Sequence, residues 1–485
     1  MTASTRTMTR RAAPLVAALC AFFGTCAGSL AVADDALLRL VEARRAVDRQ
    51  VALQLWNWAE VGYQEEQSSA RLQKELTDAG FKVRAGVAGM PTSFIAEYGS
   101  GKPVIAILAE MDALPGVSQA AVPERSPLRG RISGHACGHH LFGTGSTSAG
   151  IAIKNWLATN RRGGTIRVYG TPAEEGGAGK AYMVRAGLFD DVDVALHWHA
   201  GDRNAVTNEP TLANKSAKFR FSGIAAHAAA APERGRSALD GVEAMNHMAN
   251  LMREHMPDDA RMHYIVTRGG DAPNVVPEFA ESFYYVRHRN PQVMAEIFER
   301  LLRISEGAAM GTGTTVTHEV IHGAYSLLPN DELATVVDAK LREVGGIQWD
   351  ASEQAFAEKI FPTLGKTELG LGSEREIQPI GRRASQGSTD VGDVSWVVPT
   401  IGFRTATWVP GTPAHSWQAV AAGGMGIGLR GMENASKVLA LTAAELYTRP
   451  ELISAARAEF ERRRGPDFKY ASAVGDRAPP LDYRR

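Results

Sequence analysis

Three apolar runs, each leading into a polar or glycine-rich turn, constrain the fold of this chain most strongly. They cover residues 104–108, 165–169 and 192–196. A segment rich in glycine and alanine with helical spacing, roughly 142–158, separates the first two runs. Strands that alternate with helices in this way are typical of an α/β domain with a mostly parallel sheet. Such a sheet binds ligands beyond the carboxyl ends of its strands.

Residues that can bind metal or move protons follow each of these runs. Asp112 follows the first run, Glu174 and Glu175 follow the second, and His197 and His199 follow the third. Because the carboxyl ends of parallel strands meet at one edge of the sheet, we expect these side chains to lie close together. Their shared position indicates a functional site more strongly than any one of them alone.

Cys137 and His139 stand in a glycine-flanked loop that opens the predicted helix. A thiolate and an imidazole suit zinc or a similar divalent transition ion. Two alternatives stay open at this level. Cys137 could be a small buried residue, or it could be a nucleophile with His139 as its base.

Glu174 and Glu175 are adjacent acids, a pattern that usually marks a solvated turn. Here they follow a buried strand and lie between a proline segment and two glycines. Neighbours on an extended chain point to opposite sides, so one carboxylate can bind metal while the other holds a water for hydrolysis. His197 and His199 face the same way by strand alternation, so position alone does not choose between them.

Three later polar residues are further candidates. His415 is a lone histidine in a loop rich in proline and glycine, where loops often carry function. His227 is crowded by small residues, and Asn274 lies between two prolines. His227 and Asn274 belong to a segment outside the predicted sheet and could polarise or anchor a substrate.

The pattern changes at about residue 213, where a second unit begins. Its predicted strands and helices follow the order β-α-β-β-α-β, at 217–221, 236–256, 262–267, 279–288, 291–307 and 314–321. This order predicts a ferredoxin-like unit inserted in the larger domain. Helices near 330–344 and 421–447 return the chain to that domain. The charged tail from 449 predicts a surface helix followed by a loose end.

The first 33 residues are expected to form an export signal. Three arginines precede a short apolar stretch and a small-residue cleavage site that ends at Ala33. A retained membrane anchor is the alternative, although the apolar stretch is short for one. Cleavage would remove Cys20 and Cys26 and leave Cys137 without a disulfide partner. The predicted location is periplasmic or secreted.

Composition limits the partners of the chain. The 485 residues carry 53 basic and 53 acidic side chains, and 44% are hydrophobic. This is ordinary globular composition, and the length allows two domains. A formal charge of zero indicates no nucleic-acid partner.

Eight short strings occur along the chain in one order: MDALPG (111–116), GHACGHH (134–140), TPAEEGG (171–177), DVDVALHWH (191–199), GIAAHAAAAP (223–232), NVVPEFA (274–280), STDVGDVSW (388–396) and GTPAHSWQAVAAGG (411–424). Together they resemble the aminoacylase/carboxypeptidase-G family of di-metal amidohydrolases. Within that metallopeptidase family they are most similar to the branch of hippurate hydrolase, auxin-conjugate hydrolases and the B subunit of p-aminobenzoyl-glutamate hydrolase.

The resemblance implies a zinc-exopeptidase-like catalytic domain, with a mixed, mostly parallel sheet, formed by residues 34–212 and 326–448. It implies an inserted ferredoxin-like lid and dimerisation domain at 213–325, and a C-terminal tail at 449–485. It further implies a homodimer through the lid and two divalent metal ions, either zinc or manganese.

Position by position, the resemblance also implies the roles of the site residues. Glu174 matches the general base, and Asp112 matches the acid that orients a ligand histidine. His227 and Asn274 match lid residues that are expected to reach the substrate, and for His227 a dimer interface could lie in between. His197 occupies a position that is often glycine in relatives and is expected outside the ligands. The implied metal ligands are Cys137, His139, Glu175, His199 and His415.

Three positions depart from the usual family pattern. Glu110 replaces an aspartate, His140 follows the ligand His139 where aspartate is usual, and Thr389 stands in the late Ser-Glu-Asp element. These changes leave the expected ligands intact and affect the expected fit of the substrate.

The predicted activity is metal-dependent hydrolysis of the amide bond of an N-acyl or N-aroyl amino acid, such as an aminobenzoyl-glutamate-like conjugate. Glu174 is expected to deprotonate the attacking water. Two other hypotheses stay open. One is a cysteine hydrolase that uses Cys137 and His139 and whose activity survives treatment with chelators. The other is a non-catalytic metal- or ligand-binding protein on the same scaffold.

Overall fold

The computed structural model describes residues 1–2, 20–381 and 387–484, with the backbone alone for 20–34. Most of the predicted export signal therefore lies outside the described residues. Within them, no helix has both the length and the apolar content needed to cross a membrane.

The strands of the described residues form two main sheets and one short pair. They are β1 (Lys82–Ala85), β2 (Phe94–Ser100), β3 (Val104–Glu110), β4 (Leu114–Pro115), β5 (Ser133–Gly134), β6 (Gly164–Thr171), β7 (Val194–Gly201), β8 (Ala205–Thr207), β9 (Ala213–Ser222), β10 (Arg261–Arg268), β11 (Phe279–His288), β12 (Thr315–Ala324) and β13 (Thr400–Ala406).

The helices of the described residues pack against both main sheets. They are α1 (Cys20–Trp58), α2 (Glu66–Asp78), α3 (His139–Thr159), α4 (Gly179–Arg185), α5 (Ala238–Met252), α6 (Pro291–Thr312), α7 (Asp331–Val344), α8 (Ala351–Ile360), α9 (Val391–Ser395), α10 (Trp417–Gly423), α11 (Gly426–Thr448) and α12 (Pro450–Arg464).

The larger sheet has seven strands in the order β1-β2-β6-β3-β7-β13-β8. Its four central strands, from β6 to β13, are parallel, and the outer strands pair antiparallel. The three apolar runs of the sequence are the central strands β3, β6 and β7. The predicted α/β class with a mostly parallel sheet is confirmed.

Helix α3 is buried along most of its length between this sheet and helices α1 and α11. Small residues allow the close approach. A Cβ atom on Gly143 would lie 2.6 Å from the carbonyl oxygen of Glu110, at the end of β3. The start of α3, which carries His139, is thereby held against the carboxyl end of β3.

The smaller sheet is antiparallel, in the order β10-β11-β9-β12, with α5 and α6 packed on it. The chain order of its elements is β-α-β-β-α-β, as the ferredoxin-like prediction requires. Met245 and Met252 of α5 belong to the core of this unit, which we call the lid. The inserted lid is therefore confirmed as a fold.

One predicted helix is broken in two. The expected helix at 421–447 consists of α10 and α11, which are separated at Gly424 and Met425. Trp56 packs so closely at this break that a Cβ atom on Gly424 would lie 2.5 Å from its ring. The close packing of Trp56, contributed from the distant α1, accounts for a feature that the local pattern does not show.

The expectation of a loose C-terminal end is wrong. After α12, residues 465–484 run back across both domains. The Tyr470 hydroxyl donates to Asp393 at 2.7 Å, and Arg477 donates to two carbonyl oxygens of β12 at 2.7 and 2.9 Å. Gln64 donates to the carbonyl oxygen of Leu481 at 2.9 Å. Between its charged residues, the segment carries buried Ala473 and Val474 and the partly buried rings of Phe468, Tyr470 and Tyr483, which anchor it.

Asp393 lies at the junction between the domains and the tail. Its carboxyl group accepts hydrogen bonds from the Tyr325 backbone at 3.0 Å and from the Tyr470 hydroxyl at 2.7 Å. Burial raises the pKa of Asp393 from 3.8 to about 7. The folded chain therefore holds this proton more tightly than the unfolded chain. The free energy of unfolding that this group contributes is greatest at low pH and falls as pH rises through this window.

Replacement Asp393→Asn removes this titration while keeping the shape of the side chain. Between about pH 5 and pH 8 the wild type should lose about 2 kcal/mol of unfolding free energy relative to the variant. Denaturant unfolding at the two pH values measures the difference. An equal change in unfolding free energy in wild type and variant would show that Asp393 does not titrate in this range.

Candidate active site

The carboxyl ends of the central strands open into a cavity of about 410 Å³. This is the edge at which the sequence predicts a ligand site. The cavity walls include all but one of the predicted metal ligands together with the predicted base: Cys137, Glu174, Glu175, His199 and His415.

Cys137, His139 and His199 converge at one side of this cavity. The Cys137 Sγ atom lies 3.6 Å from His199 Nε2, and one ligand atom from each of the three residues falls within 4.8 Å of the others. Gly138 between them has a φ of 77°, and a Cβ atom there would lie 2.3 Å from that of Ala200. The glycine permits the turn that brings Cys137 and His139 close to His199 on β7.

Asp112 lies beside the ring of His139. Its Oδ1 atom lies 3.0 Å from His139 Nδ1, and its Oδ2 atom accepts from the Glu175 backbone at 2.9 Å. His139 Nε2, on the other side of the ring, lies 3.1 Å from Glu110 Oε2. One aspartate thus fixes both a histidine ring and the turn that carries the paired acids.

The paired acids do not lie on extended chain, contrary to the sequence-based expectation. Residues 173–177 form a tight turn, in which Gly177 donates to the Ala173 carbonyl at 3.0 Å and Ala173 has a φ of 56°. The two carboxylates nevertheless have different partners. Glu175 Oε1 lies 3.0 Å from His415 Nε2, whereas Glu174 groups with Glu110 and His139. The turn, and not strand alternation, separates them.

The cavity shifts the pKa values of its acidic groups. Desolvation, followed by the charges of Glu110 and Glu175, raises the pKa of Glu174 well above its usual range. Burial, followed by the charge of Glu175, also raises the pKa of the Cys137 thiol. Without a nearby cation this thiol stays protonated, which disfavours the cysteine-nucleophile hypothesis.

The residues present fit a pair of divalent metal ions. Among the described residues, a thiol, imidazoles and carboxylates form three candidate groups, of which the first two share Cys137: Cys137, His139 and His199; Cys137, Glu175 and His415; and Glu110, His139 and Glu174. Buried His139 Nε2 makes no hydrogen bond to any described residue, although it faces a carboxylate. A cation between such donors would satisfy both.

A buried charge network that the sequence analysis did not single out lies behind the site. Lys180 Nζ is 2.7 Å from Glu110 and 2.7 Å from Asp390. Asp390 also accepts from the Lys180 backbone at 2.9 Å. Burial alone would lower the pKa of Lys180, but Asp390 and Glu110 raise it, so the ammonium stays charged. The glycine-rich segment that ends in this lysine was the available signal.

A second residue that sequence reasoning missed holds the turn at residues 173–177. Glu65 is buried, accepts from the Ala173 backbone at 2.8 Å and accepts from the Thr92 hydroxyl at 2.8 Å. The loop before α2, in which Glu65 lies, carries no motif that would have drawn attention to it.

Two predicted substrate residues do not reach the cavity within this chain. His227 and Asn274 lie together at one end of the lid, where the Ala228 backbone donates to the Asn274 carbonyl at 3.0 Å. Both side chains are exposed, and neither lines the cavity. His197, by contrast, is buried and lines the cavity on the same strand as His199.

Comparison with known proteins agrees with this geometry. The sequence model of peptidase family M20/M25/M40 matches residues 106–374. The chain belongs to this family. It is 39% identical to the B subunit of p-aminobenzoyl-glutamate hydrolase from Escherichia coli (strain K12) over 456 residues, which cover 88% of this chain and 94% of that protein. The predicted family and the predicted enzyme class, a metal-dependent hydrolase, are confirmed.

Two solved structures share the fold. An aminobenzoyl-glutamate utilization protein from Klebsiella pneumoniae is 19% identical, with a TM-score of 0.58, and the match covers 83% of this chain and 96% of that one. The YXEP protein of Bacillus subtilis, a dinuclear metal-binding peptidase of the M20 family, is 18% identical, with a TM-score of 0.56, over 83% and 99% of the two chains.

Proposed function

We propose that this protein hydrolyses the amide bond between an acyl or aroyl group and an amino acid, with an aminobenzoyl-glutamate-like conjugate as the substrate class. The observation that carries the proposal is that two adjacent acids, in the turn at residues 173–177, have different surroundings. Glu175 groups with Cys137 and His415 as candidate metal ligands, whereas its neighbour Glu174 lines the cavity outside the two groups that contain Cys137. The similarity to the B subunit of p-aminobenzoyl-glutamate hydrolase supports the substrate class.

A metal pair would be held by residues from four separate parts of the chain. The proposed ligands are Cys137, His139, Glu175, His199 and His415. Divalent ions supply Lewis acidity there, which lowers the pKa of water and polarises the amide carbonyl. Cysteine among the ligands favours zinc, while the carboxylate and imidazoles would also accept manganese.

Glu174 moves the proton in the proposed reaction. Its carboxylate takes a proton from the attacking water and returns it to the nitrogen of the leaving amino acid. Asp112 keeps the His139 ring and the Glu175 backbone in place while this happens. A non-catalytic binding protein would have no use for a free carboxylate at this position, so the enzyme hypothesis is favoured.

Removal of the metal should abolish the activity. Dialysis against a chelator is expected to lower hydrolysis of p-aminobenzoyl-glutamate at least about a hundredfold, since the polarising charge is lost. Adding back zinc and manganese separately, with metal analysis of each sample, identifies the ion that restores it. Activity that survives the chelator but is lost on thiol alkylation would instead support the cysteine hydrolase.

We also propose a homodimer formed through the lid. Strand β10 is an edge strand whose Ile265 and Val266 are 60% and 46% exposed, and an exposed apolar edge is suited to pairing with a second copy. A dimer would also explain why His227 and Asn274 are exposed and away from the cavity of their own chain. The replacement Ile265→Lys should yield a monomer in light scattering after size exclusion. A wild-type protein that is monomeric at micromolar concentration would contradict this proposal.

A further inference from the structure

Three polar groups in the cavity have no assigned task and no partner among the described residues. Arg404 on β13 is exposed to the cavity, and its guanidinium makes no hydrogen bond or ion pair there. Both ring nitrogens of buried His197 and the hydroxyl of Ser388 are also without hydrogen bonds. By contrast Arg203, which lines the same cavity, pairs with Asp202 at 2.9 Å.

The sheet register places Arg404 and His197 on one wall of the cavity, which Ser388 also lines. In the parallel pair of β7 and β13, His197 is opposite Gly402 and His199 is opposite Arg404. A Cβ atom on Gly402 would lie 2.1 Å from His197 Nε2, so glycine leaves the room that the ring occupies. Because register partners share a face of the sheet, Arg404 stands next to a proposed metal ligand on the same cavity wall.

We propose that Arg404, together with His197 and Ser388, forms a subsite for a carboxylate of the substrate. A guanidinium binds a carboxylate through two parallel hydrogen bonds, and hydroxyl and imidazole N–H groups can complete the contacts. Since Arg203 is paired with Asp202, Arg404 is the unpaired arginine among the described residues that line the cavity. The inference rests on the proposed function and adds which residues bind a carboxylate of the amino-acid portion.

The test compares p-aminobenzoyl-glutamate with its diamide, which has the same shape and no charge. Arg404→Ala should raise KM for the acid by about 10- to 100-fold and leave kcat/KM for the diamide unchanged. The KM of Arg404→Lys for the acid should lie between those of wild type and Arg404→Ala, because lysine keeps the positive charge but cannot form two parallel hydrogen bonds. Arg342→Ala, which removes an exposed arginine on α7, is the matched control. Equal kinetics of Arg404→Ala and wild type on the acid would overturn the subsite.

The failure of the proposed function is distinguished by a binding experiment. If the wild type hydrolyses neither compound, the proposed substrate class is wrong. Calorimetric titration of wild type and Arg404→Ala with p-aminobenzoyl-glutamate then decides the subsite independently of turnover. Binding that is weakened about tenfold or more in the variant supports it, and equal or undetectable binding in both proteins overturns it.

A second, independent observation concerns the end of the tail. The Tyr483 hydroxyl and the Arg484 guanidinium both donate to the carbonyl oxygen of Glu175, at 3.1 and 2.6 Å. The Tyr483 ring packs edge-on against Tyr63, with ring centres 5.6 Å apart. A Cβ atom on Gly62 would lie 2.3 Å from the Tyr483 hydroxyl, so a glycine is required for this approach.

We infer that Tyr483 and Arg484 are positioning residues for the turn at residues 173–177, which carries Glu174 and Glu175. Both donate hydrogen bonds to the Glu175 carbonyl oxygen, while Asp112 accepts a hydrogen bond from the Glu175 N–H. The same tail is fixed to the lid strand β12 through Arg477. The tail therefore links the lid to the residues proposed to bind metal and move the proton.

The double replacement Tyr483→Phe with Arg484→Ala removes both donors. Metal affinity and kcat should each fall about tenfold or more, as loss of supporting contacts around metal ligands usually causes, while the thermal midpoint stays within about 2 °C. A variant with Tyr483→Phe and Arg484→Lys should recover part of the metal affinity and part of kcat. Asp482→Asn is the control within the tail. Unchanged metal affinity by calorimetry would overturn the inference, as would a loss that merely follows unfolding.

Discussion

Replacement of Glu174 by glutamine is expected to reduce turnover about 10³-fold or more while the metal content stays near that of the wild type. The amide keeps the shape of the side chain but cannot accept the proton of the attacking water, and general-base catalysis of this kind contributes up to about 10⁴-fold. The substitution replaces none of the proposed ligands, and Glu174 lies in a different group from Cys137, Glu175 and His415. Steady-state kinetics and elemental analysis of the same preparation measure both quantities.

The neighbouring residue provides the matched comparison. Glu175→Gln should lose metal as well as activity, because the Glu175 carboxylate contacts His415 and groups with Cys137. Glu358→Gln on the exposed face of α8 controls for the chemistry of the substitution. Full turnover in Glu174→Gln with full metal content would remove Glu174 from the mechanism. Loss of metal in both variants would mean that the two carboxylates share the ligand role.

Replacement of Lys180 by methionine is expected to lower the free energy of unfolding by about 3–5 kcal/mol. Lys180 is fully buried and lies 2.7 Å from each of two buried carboxylates, Glu110 and Asp390. Methionine fills a similar volume but leaves both acids without their cation. Denaturant unfolding of the metal-free protein measures the loss without interference from the metal site.

Two further variants separate charge from packing. Lys180→Met combined with Asp390→Asn should recover part of the lost stability, because one of the two uncompensated charges is removed. Lys74→Met should cost at most about 0.5 kcal/mol, since Lys74 and its partner Asp78 are both exposed. A cost below about 1 kcal/mol for Lys180→Met would show that the acids take up protons and need no cation.

Much of the catalytic side of the molecule follows from local pattern. The apolar runs correspond to β3, β6 and β7, and the polar residues that follow them meet at one edge of the sheet. The alternating elements from residue 213 form the predicted lid. These features depend on the periods of strands and helices, which a single sequence displays directly.

Other features needed the packed structure. The paired acids lie in a turn whose geometry depends on Glu65, which is distant in sequence. His227 and Asn274 match family positions, yet the fold of one chain leaves them outside the cavity. The tail was expected to be loose because charge dominates its composition, whereas a few spaced side chains anchor it. In each case the deciding contact joins residues far apart in the chain.

The sequence by itself determined which kinds of ligand are present, their order and their places at strand ends, because these depend on residue type and local periodicity. Only the tertiary structure decided which carboxylate meets His415, which cation balances Glu110 and Asp390, and that Arg404 stands unpaired on the cavity wall. The physical reason is that charge pairing and desolvation act through space. Their strength depends on distances of a few ångströms between segments that the sequence does not bring together.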